Sequence, residues 1–454
     1  MGSTSESTFQ WREESPSVWA RSLDRTELHY VGMRNAYARH GREWGMLSTI
    51  LKLDTDMSSS QLVDASMSAW KGARRQHPIL ASTLDSNDTR RLYKVADAEE
   101  LASWIEETFI VHDGQGDTKS AAEAFRRVMK PAPRATLHVF PATQEMLLQT
   151  PHHVSDGLSI LQLVNSLLDA IADPKQVEAK FGAEAERLSS APSVIAKYAP
   201  ATAEDSAVCQ SEIGNWIAGF PSSGIGASNV DNAPGDTRAQ RMVLSQESTD
   251  AVLAAAKRQG LTATHVVEAA LIVSSREIEK RIMNIAEDRN YVSCGLFSLR
   301  SRCDASAQGE MVPCVTFFPQ VIKPGPFLET ARAVRAYYDG WKARGEQMSA
   351  LIEPTLTAFA AMSAGSSQPN QMLSVSSFGR FEPRLESRHG PVRLVDFQFV
   401  YETPDAGVSA SSWTREGRLT VSISYNEAYH KEETIREWVQ LAQEKLLTGL
   451  GISK

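Results

Sequence analysis

Cysteine is scarce in this 454-residue chain, and its four positions, Cys209, Cys294, Cys303 and Cys314, show no CxxC spacing. That excludes a disulfide scaffold and a cysteine-built zinc site, and it suits a reducing compartment. Long apolar runs are missing as well: none approaches the ~18 residues of a membrane span. Positive charge is not in surplus, with 47 Lys and Arg against 55 Asp and Glu and a formal net charge of -8. No nucleic acid and no membrane surface is therefore expected as a partner, because phosphate binding needs a basic face. Gly-x-Ser-x-Gly is absent, so Ser155 and Ser159 are not expected to be nucleophiles of a serine hydrolase. Gly224-Ile225-Gly226 is too irregular for a phosphate-cradling loop. The opening Met-Gly-Ser-Thr-Ser-Glu-Ser lacks an apolar core, and Glu6 stands where a myristoylation signal wants Ser or Thr. A disordered polar tail and a cytoplasmic setting are the expectation.

An apolar content of 42% and a charged content of 22% are those of a soluble globular protein. The length exceeds what one core normally serves, so two domains are expected. In chain order, Asp24 with Glu27 reads as the capping box of a helix. Residues 45–53 read as a strand. Ser58 to Ser60 open a helix with Leu62, Ala65, Ala69 and Ala73 on one face, which Pro78 ends near His77. His77 reads as a charged imidazolium at that helix C-terminus. Residues 135–140 and 146–150 read as antiparallel strands, and 158–171 as an amphipathic helix with Ile160, Leu163, Leu167 and Ile171 inward.

The stretch 218–238 is rich in Gly, Ser, Pro, Asn and Asp and marks a boundary. The division expected is residues 1–205, a crossover linker at 206–238, and residues 239–454. Past the boundary, strands are expected at 241–244, 291–299, 316–321, 372–378, 395–401, 409–413 and 418–425. Helices are expected at 248–258, 262–274, 326–344 and 432–450, with a polar loop at 365–370. Strands and helices alternate in both halves, which suggests two similar α/β or α+β lobes.

The strand-to-helix loop Pro151-His152-His153-Val154-Ser155-Asp156-Gly157 carries the candidate chemistry. A neutral imidazole can take a proton from an alcohol or amine as that group attacks a carbonyl, so His152 is a candidate general base. An inert, hydrogen-bonded histidine at a strand end is the alternative. Asp156 could orient the imidazole as in a triad, or could lock the loop by pairing with a cation. Arg300, at a strand end in the second half, is the cation of choice, in a bridge between lobes. No metal is expected, because the adjacent histidines diverge and no third ligand is suitably spaced.

His152 to Gly157 resembles the HxxxDG signature of the chloramphenicol acetyltransferase-like superfamily, which includes BAHD acyltransferases and condensation domains. Residues 75–80 (RQHPIL) resemble its early RHPxL segment, and Ser298-Leu299-Arg300-Ser301-Arg302 its N-x-R-x-R strand end. Residues 374–380 (SVSSFGR) resemble S-N-x-G-R, and Gly417-Arg418-Leu419 the closing strand. In layout the chain is most similar to fungal acetyltransferases of the trichothecene 15-O-acetyltransferase kind. The resemblance implies two lobes with an active-site channel between them. His152 is then the base, with Asp156 and a Ser376 hydroxyl at the oxyanion as further catalytic residues, and His153, Gly157 and Arg300 as support.

It also implies direct attack of an alcohol on an acyl-CoA thioester, with acetyl-CoA as co-substrate, no permanently bound cofactor and a small-molecule alcohol acceptor. A monomer suffices for that. Condensation domains use the second histidine of their pair, whereas the spacing here selects the first. The plant-type DFGWG segment is absent. The readings that remain are an acyl-CoA-dependent O-acyltransferase of secondary metabolism, transfer from a carrier-protein thioester, and a non-acylating cyclase or binding protein on the same fold.

Overall fold

The computed structural model describes residues 8–114, 120–174, 181–365 and 371–452. The polar N-terminal tail, and the loop expected at 365–370 beyond its first residue, lie outside the described residues. The chain divides into two compact units, and neither is contiguous. Met1–Lys197, Ser298–Val315 and Glu382–Tyr401 form the first; Tyr198–Phe297, Thr316–Phe381 and Glu402–Lys454 form the second. The expected division at 206–238 differs from this in two ways. Residues from Ala203 to Ala218 are one helix, with Thr202 accepting from the Asp205 amide in a capping box. Two segments of the C-terminal half are also built into the first unit. A composition shift marks a loop, but it does not report which distant strands pair.

The first unit is organised on a six-stranded mixed sheet. Its spatial order is Arg388–His389, Val392–Tyr401, Leu47–Asp54, Glu145–Thr150, Thr136–Phe140 and Phe109–Val111. Only the last pair is parallel. Val392–Tyr401 pairs with Leu47–Asp54 in a register that sets Tyr401 opposite Leu47 and Phe397 opposite Leu51. Helix Ser59–Gln76 starts at Ser58, whose side chain accepts from the Gln61 amide, and buries Leu62, Ala65, Ala69, Trp70 and Ala73. It packs against helix Gly157–Ala172, which buries Ile160, Leu163, Leu167 and Ile171. At the end of the former helix, burial pushes the pKa of His77 down to about 4. The charged imidazolium expected there is thus overturned: desolvation outweighs the attraction of the helix terminus.

The second unit has its own mixed sheet, in the order Leu373–Arg380, Val408–Arg415, Arg418–Asn426 and Thr237–Val243, parallel only in the first pair. Strands Tyr291–Ser298 and Val315–Ile322 pair separately. Helix Ala263–Ile282 packs against Phe327–Ala343 and Glu432–Gly449. The α/β (α+β) class expected from the sequence is the one observed. Most element ends fall within two residues of expectation, but helix Ala263–Ile282 runs eight residues beyond its expected end. Helices Ala98–Thr108, Ala203–Ala218 and Ile352–Gly365 were not anticipated. The first begins at Asp97, which caps the Glu100 amide, and it buries Trp104 completely.

Leu147 lies on a central strand of the first sheet, fully buried in a cluster with Ile50, Ala122 and Phe140 that Ala121, Phe125 and Met129 close off. Leu147→Ala should cost about 2–5 kcal/mol, the loss of transfer energy plus a cavity in a packed core. Urea denaturation of the variant checks this; an unchanged midpoint would mean the site collapses around the missing atoms.

Candidate active site

Strand Glu145–Thr150 is buried at every position and has a hydrogen-bonded neighbour on both sides, so its end is fixed in space. Pro151 cannot extend the ladder, and the chain turns with the Val154 amide donating to the Pro151 carbonyl at 2.9 Å. Ser155 Oγ donates to Thr150 Oγ1 at 2.7 Å, closing the turn across its neck. Asp156 then caps helix Gly157–Ala172. Its Oδ1 accepts the Ser159 amide at 2.8 Å, while Ser159 Oγ accepts the Asp156 amide at 2.9 Å. Gly157 is the first residue of that helix.

The Asp156 carboxylate also takes Nη2 of Arg300, at 2.9 Å to Oδ1 and 3.0 Å to Oδ2. Both side chains are buried. The guanidinium also donates to main-chain oxygens, Nη1 to Gln308 at 2.6 Å and Glu310 at 3.3 Å and Nη2 to Val312 at 3.0 Å, while its buried Nε has no partner among the described residues. Arg300 lies in the segment Ser298–Val315, which belongs to the first unit. The Asp–Arg bridge expected between lobes is therefore internal to one unit, a correction that follows from where this segment packs. No hydrogen bond joins Asp156 to His152 among the described residues. The triad alternative left open by the sequence is thereby decided in favour of a locking ion pair.

His152 Nδ1 lies 2.9 Å from the Ser155 carbonyl. A carbonyl only accepts, so Nδ1 carries the proton and the lone pair is on Nε2. Nε2 has no hydrogen-bond partner among the described residues. Burial holds the His152 pKa below its usual value, against the opposing pull of nearby carbonyls and the Asp156 charge. The ring stacks on Tyr30 at 3.9 Å between centroids and 14° between planes, and Tyr401 meets it edge-on at 6.0 Å.

His153 is in the opposite state. Arg91 Nη2 donates to its Nδ1 at 3.1 Å and to its carbonyl at 2.8 Å, so its lone pair is occupied and Nε2 bears the proton. Burial, and then the Arg91 charge, push its pKa well below the usual histidine range. Arg91 is fixed in turn by Glu27 at 3.0 Å, which Arg21 grips through both oxygens at 2.6 and 2.8 Å.

The structure therefore brings together His152, His153, Asp156, Gly157 and Arg300 within one unit. Ser376 belongs to the other unit, half-buried on strand Leu373–Arg380, where its carbonyl accepts from Ser412 Oγ at 3.3 Å. Sequence reasoning missed Tyr30, Tyr401 and Arg91. For Arg91 a signal existed: the strand Arg90–Lys94 alternates, and its buried positions are Arg91 and Tyr93. An arginine on the inward face of a strand must find an acceptor. Tyr30 and Tyr401 carried no such signal. Among the described residues, no cluster of three or more His, Cys, Asp or Glu could hold a metal ion. No described helix is long and apolar enough to cross a membrane.

No family model matches the chain. Two curated proteins of Monascus ruber resemble it over nearly its whole length. O-acetyltransferase pigM is 24% identical over 443 residues, covering 94% of this chain and 84% of its own. Acetyltransferase pigO is 25% identical over 466 residues, covering 97% and 98%. In structure, the trichothecene 15-O-acetyltransferase TRI3 of Fusarium sporotrichioides matches with a TM-score of 0.82 at 16% identity, over 98% of each chain. The fold is the chloramphenicol acetyltransferase-like, condensation-domain fold. The chain is an acyltransferase on that fold.

Arg300→Met should destabilise the protein by about 3–5 kcal/mol, because it leaves the Asp156 carboxylate buried without its counter-charge. Removing both charges in Asp156→Asn/Arg300→Met should cost less than the two single changes added together. Additive losses in a double-mutant cycle would show that the pair is not coupled.

Proposed function

We propose that this chain transfers an acetyl group from acetyl-CoA to a hydroxyl of a small secondary metabolite, with His152 Nε2 as general base. The observation that carries this reading is the state of His152: neutral, with its proton fixed on Nδ1 by the Ser155 carbonyl and its lone pair unengaged. Such a group removes the acceptor's hydroxyl proton as the oxygen attacks the thioester carbonyl. The C–O bond forms, the C–S bond breaks, and the proton taken by Nε2 passes to the departing thiolate. No acyl-enzyme is required. Asp156 and Arg300 hold the loop through the helix cap, and His153 holds it through Arg91. Curated relatives named as acetyltransferases support acetyl as the acyl group. An oxyanion role for Ser376 rests on the resemblance alone.

The decisive assay follows CoA release from acetyl-CoA against a panel of hydroxylated polyketides and terpenoids. His152→Ala should lower acceptor-dependent turnover by roughly 10²–10⁴-fold. A variant that turns over like the parent would reject His152 as base. No release with any acceptor would reject acetyl-CoA as donor and favour a carrier-protein thioester.

Because burial lowers the His152 pKa, the base stays neutral through neutral pH, and turnover should decline only as pH falls below about 6.5. The Tyr30 face stabilises the imidazolium formed during the reaction, an effect of about 0.5–2 kcal/mol for a desolvated cation on a ring. Tyr30→Leu should accordingly move the acid limb of kcat to lower pH, whereas Tyr30→Phe should leave it in place. Identical pH profiles for the two variants would reduce Tyr30 to packing.

A further inference from the structure

Two of the four cysteines flank the segment that grips Arg300. Cys303 Sγ and Cys314 Sγ lie 3.7 Å apart, in contact as thiols, and both residues are buried. Cys303 Sγ also donates to the Leu299 carbonyl at 3.5 Å, and the Leu299 amide donates to the Cys314 carbonyl at 2.8 Å. The two ends of the segment are therefore already drawn together. Between them lie the Gln308, Glu310 and Val312 carbonyls, which hold the Arg300 guanidinium while it holds both oxygens of Asp156. Cys209 and Cys294 belong to the other unit, so a reaction at this pair has no competing thiol nearby in the first.

We propose that Cys303 and Cys314 form a reversible redox pair whose disulfide cross-links the segment gripping Arg300, so that its oxidation state sets the hold on Asp156 and the His152 loop. The hydrogen bond from Cys314, assisted by the Arg300 charge, lowers the Cys303 pKa despite burial, which makes Cys303 the attacking sulfur. With glutathione disulfide as oxidant, the Cys303 thiolate displaces one glutathione and forms a mixed disulfide. Cys314, losing its proton, then attacks the Cys303 sulfur and expels the second glutathione. One S–S bond forms, one breaks, and glutathione disulfide is reduced to two thiols.

Closure must bring the sulfurs from 3.7 Å to about 2.05 Å. Some of that movement passes to the carbonyls around Arg300. Displacements of that order near a catalytic group are felt strongly, ~10²-fold for 1 Å.

The test treats the full-length reduced protein with glutathione disulfide. Peptide mapping should find a Cys303–Cys314 bond, and the melting temperature should rise because the closed loop restricts the unfolded chain. Acetyl-CoA turnover, followed by chromatography of CoA, should fall roughly 10-fold or more and return on adding dithiothreitol. Cys303→Ser, with Cys314→Ala as a second variant should the first fold poorly, should keep its reduced-state turnover and ignore the oxidant. Failure of the bond to form, or a bond that alters neither melting temperature nor turnover, overturns the proposal. The turnover arm rests on the acetyl-transfer reading. A reduced protein inactive toward acetyl-CoA would sink that reading, while mapping and melting would still judge the redox pair.

Discussion

One buried carboxylate sets the terms for the site. Asp156 caps the Ser159 amide at the start of helix Gly157–Ala172 and at the same time neutralises Arg300, with 2.9 and 3.0 Å contacts to one guanidinium nitrogen. Neither charge could stay out of water alone, so each fixes the other, and three main-chain carbonyls fix the arginine in turn. The loop between strand Glu145–Thr150 and this helix thus has two rigid ends and few alternatives. Its geometry follows from that ion pair.

Among the described residues, the carboxylate four residues after the histidine makes no hydrogen bond to it, though its charge is felt there. The imidazole is oriented by a main-chain carbonyl, a neutral acceptor, and burial lowers its basicity. The neighbouring His153 meets a guanidinium and adopts the other tautomer. Two adjacent residues of the same type are thereby divided into one with an open lone pair and one whose lone pair is used. The division comes from their partners and owes nothing to the side chains themselves.

Much of the framework could be read in advance because its signals are local. The capping box at Asp24, the serines that open the next helix, the proline after His77 and the apolar stripe of helix Gly157–Ala172 all act within a few residues. Where the reading failed, tertiary packing decided. His77 looked like a charged cap, but burial lowers its pKa to about 4. The segments Ser298–Val315 and Glu382–Tyr401 looked like parts of the second half, but their pairing places them in the first unit. Tyr30 shows no periodicity or motif that would mark it as the ring beneath His152.

The sequence by itself determined the class of fold and the position of the loop that carries His152 and Asp156, since spacing, caps and alternation are properties of neighbours in the chain. Only the tertiary structure decided that Asp156 serves the helix and Arg300, that Arg91 occupies His153, and that two cysteines meet beside the segment holding Arg300. Each of those outcomes depends on which buried polar groups come within ~3 Å of one another. That is fixed by packing between segments remote in sequence, where no local pattern reaches.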